Sequence, residues 1–400
     1  MAFDLKMQAE PMPRLALYLH IPFCQRKCPY CDFNTYAGRS GQYHDFSQAL
    51  AQDIRQTGDK LGHPRVRTLF LGGGTPTVLT PPQLHTIFEA LHSGFDIGDD
   101  AEITSEANPG TVDQSRFETL RTLGVNRLSM GVQSFDDAEL RFLGRIHTAH
   151  EAQAAFHLAR KVGFDNINLD FIFGLPGQEP STWARTLQTA IDLDTEHLSL
   201  YSLIVEPETP LAAQVARGQI AAPDPDLAAD LYEMAQERLA AAAFEHYEIS
   251  NWARGPLGAD LLPARASRHN VIYWHNEPYW GFGPGAHSWF GNVRRAVGND
   301  VATYIRQVQA QSNYWRMEEN ISPALAMGET MMLGLRLVRA GVERARFRRR
   351  FGADVADIYP QQLSSLLAAE LIELTPERVR LTPRALLIGN EVFATFLPDS

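Results

Sequence analysis

From residue 15 to about residue 205 the chain alternates short β-like runs with longer segments whose apolar positions recur every three or four residues. The short runs cover 15–19, 68–71, 102–105, 127–132, 166–172 and 197–203, and they read as strands. Between them, 83–91, 151–162 and 182–193 carry helical spacing. Repeated strand–helix units predict a parallel sheet with right-handed crossovers, closed as a barrel or doubly wound. In either case binding groups gather at the carboxyl ends of the strands. Further on, 226–243 predicts an Ala-rich helix, 244–253 a strand leading into a loop, and the Gly/Pro/Ala stretch 255–267 a surface loop. The pattern changes again from about 305, with helices over 323–338, 344–351 and 355–367, a hairpin over 370–381 and a last helix over 384–396.

At 400 residues the chain exceeds one typical domain, and 44% hydrophobic with 21% charged residues describes a globular protein with a sizeable core. The formal net charge of −11 argues against a nucleic-acid surface. The first fifteen residues hold no apolar signal-peptide core, and no run of 18 apolar residues occurs, so a cytoplasmic, reducing location is expected.

Candidate chemistry begins directly after the first run. Cys24, Cys28 and Cys31 are the only cysteines, spaced C-x3-C-x2-C. A zinc site would need a fourth ligand, and only His20 lies near, at an unusual spacing. An odd count without signs of secretion argues against disulfides. Three thiolates on one loop suit a four-iron cluster with one iron left open to chelate a small molecule. The later strand ends bear Gly72-Gly73-Gly74-Thr75-Pro76-Thr77, then Glu106 with Asn108, then Gln133, then Asp170 before Gly174-Leu175-Pro176-Gly177. Taken singly, Glu106 could cap a helix and Asp170 could be a satisfied core carboxylate. Together they predict one binding face.

The cysteine spacing resembles the signature of radical S-adenosylmethionine (SAM) proteins. With YxHIPFC, CPYCDF, GGGTPT, SMGVQSF and NLDFIFGLPGQ, the chain from 15 to about 395 is similar to the oxygen-independent coproporphyrinogen III oxidases and their relatives. That resemblance implies a partial (βα)6 TIM-like barrel over 15–300, after an N-terminal extension 1–14, and a small helical, winged-helix-like domain over 301–400. It implies a [4Fe–4S] cluster on Cys24, Cys28 and Cys31, with SAM at the open iron. Tyr18 and Tyr30 would flank cluster and cofactor, and Gly73, Gly74 and Thr75 would meet the methionyl amino group. Arg145 would pair with the methionyl carboxylate. Gln133 and Asp170 would take the ribose hydroxyls, Glu106 a further polar contact, and Ile204 and His287 the adenine.

His269-Asn270-Val271-Ile272-Tyr273-Trp274 has two readings from its residues alone: a packed histidine beside aromatics, or a haem ligand between flat apolar walls. The HNxxYW pattern resembles the motif of the haem-chaperone branch, which implies haem contacts at His269, Asn270, Tyr273 and Trp274. Two further features point the same way. The oxidases carry a fourth cysteine where this chain has Phe33, and a longer extension than the 23 residues before Cys24. The expected function is therefore haem binding and transfer to acceptor haemoproteins, membrane-associated ones included, with SAM as a structural or redox gate and no turnover in the ordinary enzymatic sense. Oxidative decarboxylation of coproporphyrinogen III, or another radical SAM reaction in porphyrin metabolism, is the alternative, and a merely structural cluster the third reading. Homodimerisation stays open. Seven arginines between Arg336 and Arg350 read as a solvated helix face, or as a contact for haem propionates or an acidic partner.

Overall fold

The computed structural model describes residues 14–398; apart from Arg14, the N-terminal extension lies outside them. A sheet of twelve strands organises the molecule. At its centre, parallel strands run in the order Tyr279–Phe282, Leu15–Ile21, Arg65–Gly73, Asp96–Ala107, Arg127–Gln133, Ile167–Phe173 and His197–Ser202. Six of these are the expected strands. Leu15, Leu17, Leu19 and Ile21 are buried under the outer helices, as an apolar parallel strand requires. Helices Tyr43–Leu61 and Pro81–Gly94 touch backbone to backbone, because a side chain on Gly58 would collide with Gly94.

The strand Tyr279–Phe282 has no alternating pattern of its own, and the Gly-rich stretch from Gly281 read as a turn. It becomes a strand by pairing with Leu15–Ile21. Antiparallel strands His287–Phe290, Val293–Val297 and Trp315–Asn320 then extend this edge, so the sheet runs past residue 300 to Asn320. At the other edge the expected single strand over 244–253 is a tight pair, Glu245–Glu248 and Asn251–Ala253. The helix predicted over 355–367 breaks before Pro360, which cannot continue the hydrogen-bond ladder. The last predicted helix is a 3-10 segment, Pro383–Ile388, followed by Gly389–Ala394. Strands Val342–Glu343, Arg378–Leu381 and Ile372–Leu374 form a second, small sheet, packed with helices around Met331, Phe347, Leu363 and Val379.

The arginine run is not a free solvated face. Arg344 and Arg348 pair with Asp354, and Arg346 joins Arg67 on Glu277. Arg350 donates to the Asn276 carbonyl at 2.7 Å and lies over Trp289. The Asp354 pairs tie the C-terminal helices to one another, and the Arg346 and Arg350 contacts fasten them to Asn276, Glu277 and the sheet residue Trp289.

A second fastening is Asp53, buried in Tyr43–Leu61, which accepts hydrogen bonds from Tyr304 at 2.7 Å, Tyr314 at 2.6 Å and Thr57 at 3.3 Å. Tyr304→Phe leaves that carboxyl short of a donor and is expected to lower stability by about 1–3 kcal/mol in urea unfolding. An unchanged midpoint would show that the bond contributes nothing.

Candidate cluster and cofactor site

The cysteine loop leaves the first strand and is closed by a short parallel pairing of Phe23–Cys24 with Tyr36–Ala37. Inside it the Cys31 amide bonds the Cys28 carbonyl at 3.2 Å. The loop docks on the glycine-rich end of Arg65–Gly73: the Gly74 amide donates to Ile21 O at 2.8 Å and the Thr75 amide to Phe23 O at 2.7 Å. A Cβ on Gly74 would stand 2.5 Å from Phe23 O and 2.8 Å from Ile21 O, so only glycine permits this approach. The three thiols line one pocket of about 330 Å³. Thr75 Oγ1 donates to Cys24 Sγ at 3.7 Å and Arg145 Nη1 to Cys28 Sγ at 3.4 Å. Burial pushes the Cys24 and Cys31 thiols up, so ligation must displace their protons.

The strand ends complete the same pocket. Glu106 accepts the Gly73 amide at 3.1 Å; burial, then the charge of Asp170, pushes its carboxyl up to about 8. Gln133 adopts φ 71° where the pairing with Ile167–Phe173 slips register, a rare conformation that turns it into the pocket. Arg145 is held by the Gly131 carbonyl at 2.7 Å, while its buried Nε has no partner among the described residues. Asp170 accepts from Ser129 at 3.1 Å and Asn168 at 2.7 Å. Tyr30, Gly73, Gly74, Thr75 and Ile204 also line this pocket. Ile204 and Phe33 stand at its mouth, 66% and 61% exposed. Three thiols, an arginine with a spare donor, and carboxyls beside bare glycine backbone fit a cluster plus a ligand carrying both carboxylate and amino groups. Ser129 and Tyr201 line it too. In the sequence Ser129 only opens SMGVQSF and Tyr201 only sits near a predicted strand end, and neither position marks itself as a pocket residue.

Two residues expected here lie elsewhere. The Tyr18 hydroxyl shares a 3.0 Å hydrogen bond with His20 Nδ1 and faces a second cleft, of about 400 Å³. His287 lines that cleft as well, because strand His287–Phe290 pairs on the far side of Tyr279–Phe282.

Tyr273 and Trp274 also border the second cleft, but His269 does not. It sits in helix Arg268–Trp274, whose first amides are taken up by Ser267 and by Glu102, which accepts from Arg268 at 3.1 Å and His269 at 3.0 Å. The ring is 1% exposed, stacked on Phe70, with Nδ1 bonded to Thr68 Oγ1 at 2.8 Å and Nε2 to the Tyr273 hydroxyl at 2.9 Å. Burial, then Arg127, pushes it down to about 3. The packed-histidine reading describes His269 here, and Asn270 shares its helix.

This fold and pocket define a radical SAM protein: the profile of the radical SAM superfamily matches residues 18–190, and that of the HemN C-terminal domain matches 321–388. The heme chaperone HemW of Bacillus subtilis is 38% identical over 383 residues, 96% of this chain and 99% of that protein. HemW of Escherichia coli is 34% identical, covering 97% and 99%. The solved coproporphyrinogen III oxidase HemN of Escherichia coli, described as a radical SAM enzyme, superimposes with a TM-score of 0.82 at 26% identity, over 96% of this chain and 90% of that one. The chain belongs to the HemW family.

Gly74→Ala is expected to lose most of the iron that the wild type retains after anaerobic reconstitution; full retention would show that the loop docks without this approach. Glu106 supplies a pH test. Its folded value of about 8 lies above the ordinary 4.5, so the folded state holds a proton that the unfolded chain releases. The stability it contributes is full below 4.5 and is lost as pH rises through about 8. Glu106→Gln is expected to flatten the fall in thermal midpoint of metal-free protein between about pH 5 and 8. A slope equal to the wild type's would contradict that assignment.

Proposed function

We propose that this chain binds haem and hands it to acceptor haemoproteins, with Cys24, Cys28 and Cys31 holding a [4Fe–4S] cluster whose open iron takes SAM. The observation that carries the reading is the pairing of two compartments in one sheet domain. A three-thiol pocket lies at the strand ends, and a separate aromatic cleft lies beside the HNxxYW helix. End-to-end similarity to proteins named heme chaperone HemW supports it.

When bound, the cluster and SAM supply one-electron chemistry. The chain's own residues bind and orient. Arg145 takes the methionyl carboxylate, Gly73, Gly74 and Thr75 the amino group, Glu106 a further polar contact, and Gln133 and Asp170 the ribose. Tyr30 flanks the cluster, and Ile204 borders the adenine. Haem lies against Tyr273 and Trp274, and His269 with Asn270 sets that wall from behind. Acceptors include membrane-associated haemoproteins met from the cytoplasm. Among the described residues no helix is long and apolar enough to cross a membrane.

The oxidase alternative keeps the same pocket, but Phe33 projects where the oxidases place a further thiol. Anaerobic transfer from haem-loaded chain to an apo-haemoprotein separates the readings. The wild type is expected to deliver haem, and the Cys24→Ser, Cys28→Ser, Cys31→Ser variant to lose delivery. Equal transfer by both would reduce the cluster to a structural role. Decarboxylation of coproporphyrinogen III with consumption of SAM would replace the chaperone reading by the oxidase.

A further inference from the structure

A haem chaperone needs a donor for the iron, and the structure narrows which one. The second cleft shares no lining residue with the cysteine pocket. The two lie back to back: a Cβ on Gly73, in the cysteine pocket, would fall 2.5 Å from the ring of His20, which lines the cleft. Tyr273, Tyr279 and Trp289 give the cleft flat apolar walls. Two histidines border it. His20 is spent, with Nδ1 on the Tyr18 hydroxyl and Nε2 on the Asn34 carbonyl at 2.9 Å. His287 is exposed, and among the described residues neither of its nitrogens has a hydrogen-bond partner.

Its orientation follows from the sheet. His287 and Trp289 are two apart on one strand and so share a face, and Trp289 stands opposite both Tyr279 and Arg294. Arg294 is already paired with Glu329 and Glu319. Arg316, on the next strand but one, is exposed and makes no ion pair among the described residues.

Resting on the haem-chaperone reading, we propose that His287 is the axial ligand of haem bound in this cleft, with the porphyrin against Trp289 and Tyr279 and its propionates toward Arg316. An imidazole with a free nitrogen is the commonest protein donor to haem iron, and arginine matches a carboxylate geometrically. Burial, then Arg316 and Arg294, pushes the imidazole's pKa down, which keeps it in the neutral form that ligates. His269 then acts as a positioning residue: it holds the Tyr273 hydroxyl, and through it one wall of the cleft.

The test is an anaerobic titration of cluster-reconstituted full chain with ferric protoporphyrin IX, read by Soret position and by affinity. The wild type is expected to show a histidine-ligated band. His287→Ala is expected to lose that band and regain it with added free imidazole. His269→Ala, which frees the Tyr273 wall, is expected to weaken binding while the position of the band stays that of a histidine-ligated haem. The exposed Arg316→Glu is expected to weaken binding while leaving the band in place. If His287→Ala keeps the wild-type band and affinity, the ligand lies elsewhere and this inference falls while the chaperone reading stands. If the wild type binds no haem, the chaperone reading itself falls. Unchanged binding by Arg316→Glu would remove the propionate assignment.

Discussion

The backbone of Leu15–Ile21 is claimed on both edges, by Arg65–Gly73 on one side and Tyr279–Phe282 on the other, and both pockets depend on that double pairing. Period-two alternation then sorts its side chains. Leu15, Leu17, Leu19 and Ile21 go into the core under the helices, while Tyr18 and His20 turn inward. The carboxyl end of the strand launches the cysteine loop. Its inward face forms the wall behind which the second cleft opens. The chain closing that cleft comes from more than 250 positions later in sequence, so the compartment exists only once the late strand has found the first one. A protein built this way cannot form its aromatic cleft from local structure.

The fold was legible where each element is self-sufficient. Six parallel strands carry short β-like runs separated by segments of helical spacing, and that alternation needs no partner to be read. The cysteine pocket was legible for a related reason: its residues sit at the ends of those strands, and strand ends in a parallel sheet converge. What stayed hidden depends on pairing. Tyr279–Phe282 holds a glycine and no alternation, and its neighbours supply its identity. The placement of His287 followed from that missed strand: a residue read as bordering adenine lies instead across the sheet edge, beside a different cavity. His269 was ambiguous for another reason. Sequence shows that aromatics lie near it, but not that Thr68, distant in the chain, takes one ring nitrogen and Tyr273 the other.

The interior of the sheet contains more polar atoms than a core tolerates unless they are paired. Asp170 accepts from Asn168 Nδ2, whose Oδ1 meets His197 Nδ1 at 2.7 Å. His197 Nε2 meets the Tyr247 hydroxyl at 2.9 Å, and that hydroxyl accepts the Ser267 amide at 3.2 Å. Ser267 caps the helix carrying His269. This chain of partners runs from the cysteine pocket to the start of the HNxxYW helix. Burial lowers the affinity of both His197 and His269 for a proton, and the Arg127 guanidinium acts in the same direction. Both rings are therefore neutral, each with one donor and one acceptor nitrogen. A neutral ring in such a chain has a fixed polarity, so reversing one hydrogen bond requires its neighbours to reverse as well. The physical consequence is rigidity: Asp170 at one compartment and the cap of the helix at the other are set by the same sequence of bonds. The function proposed for the chain needs both compartments shaped before either ligand arrives, and this buried network holds them so.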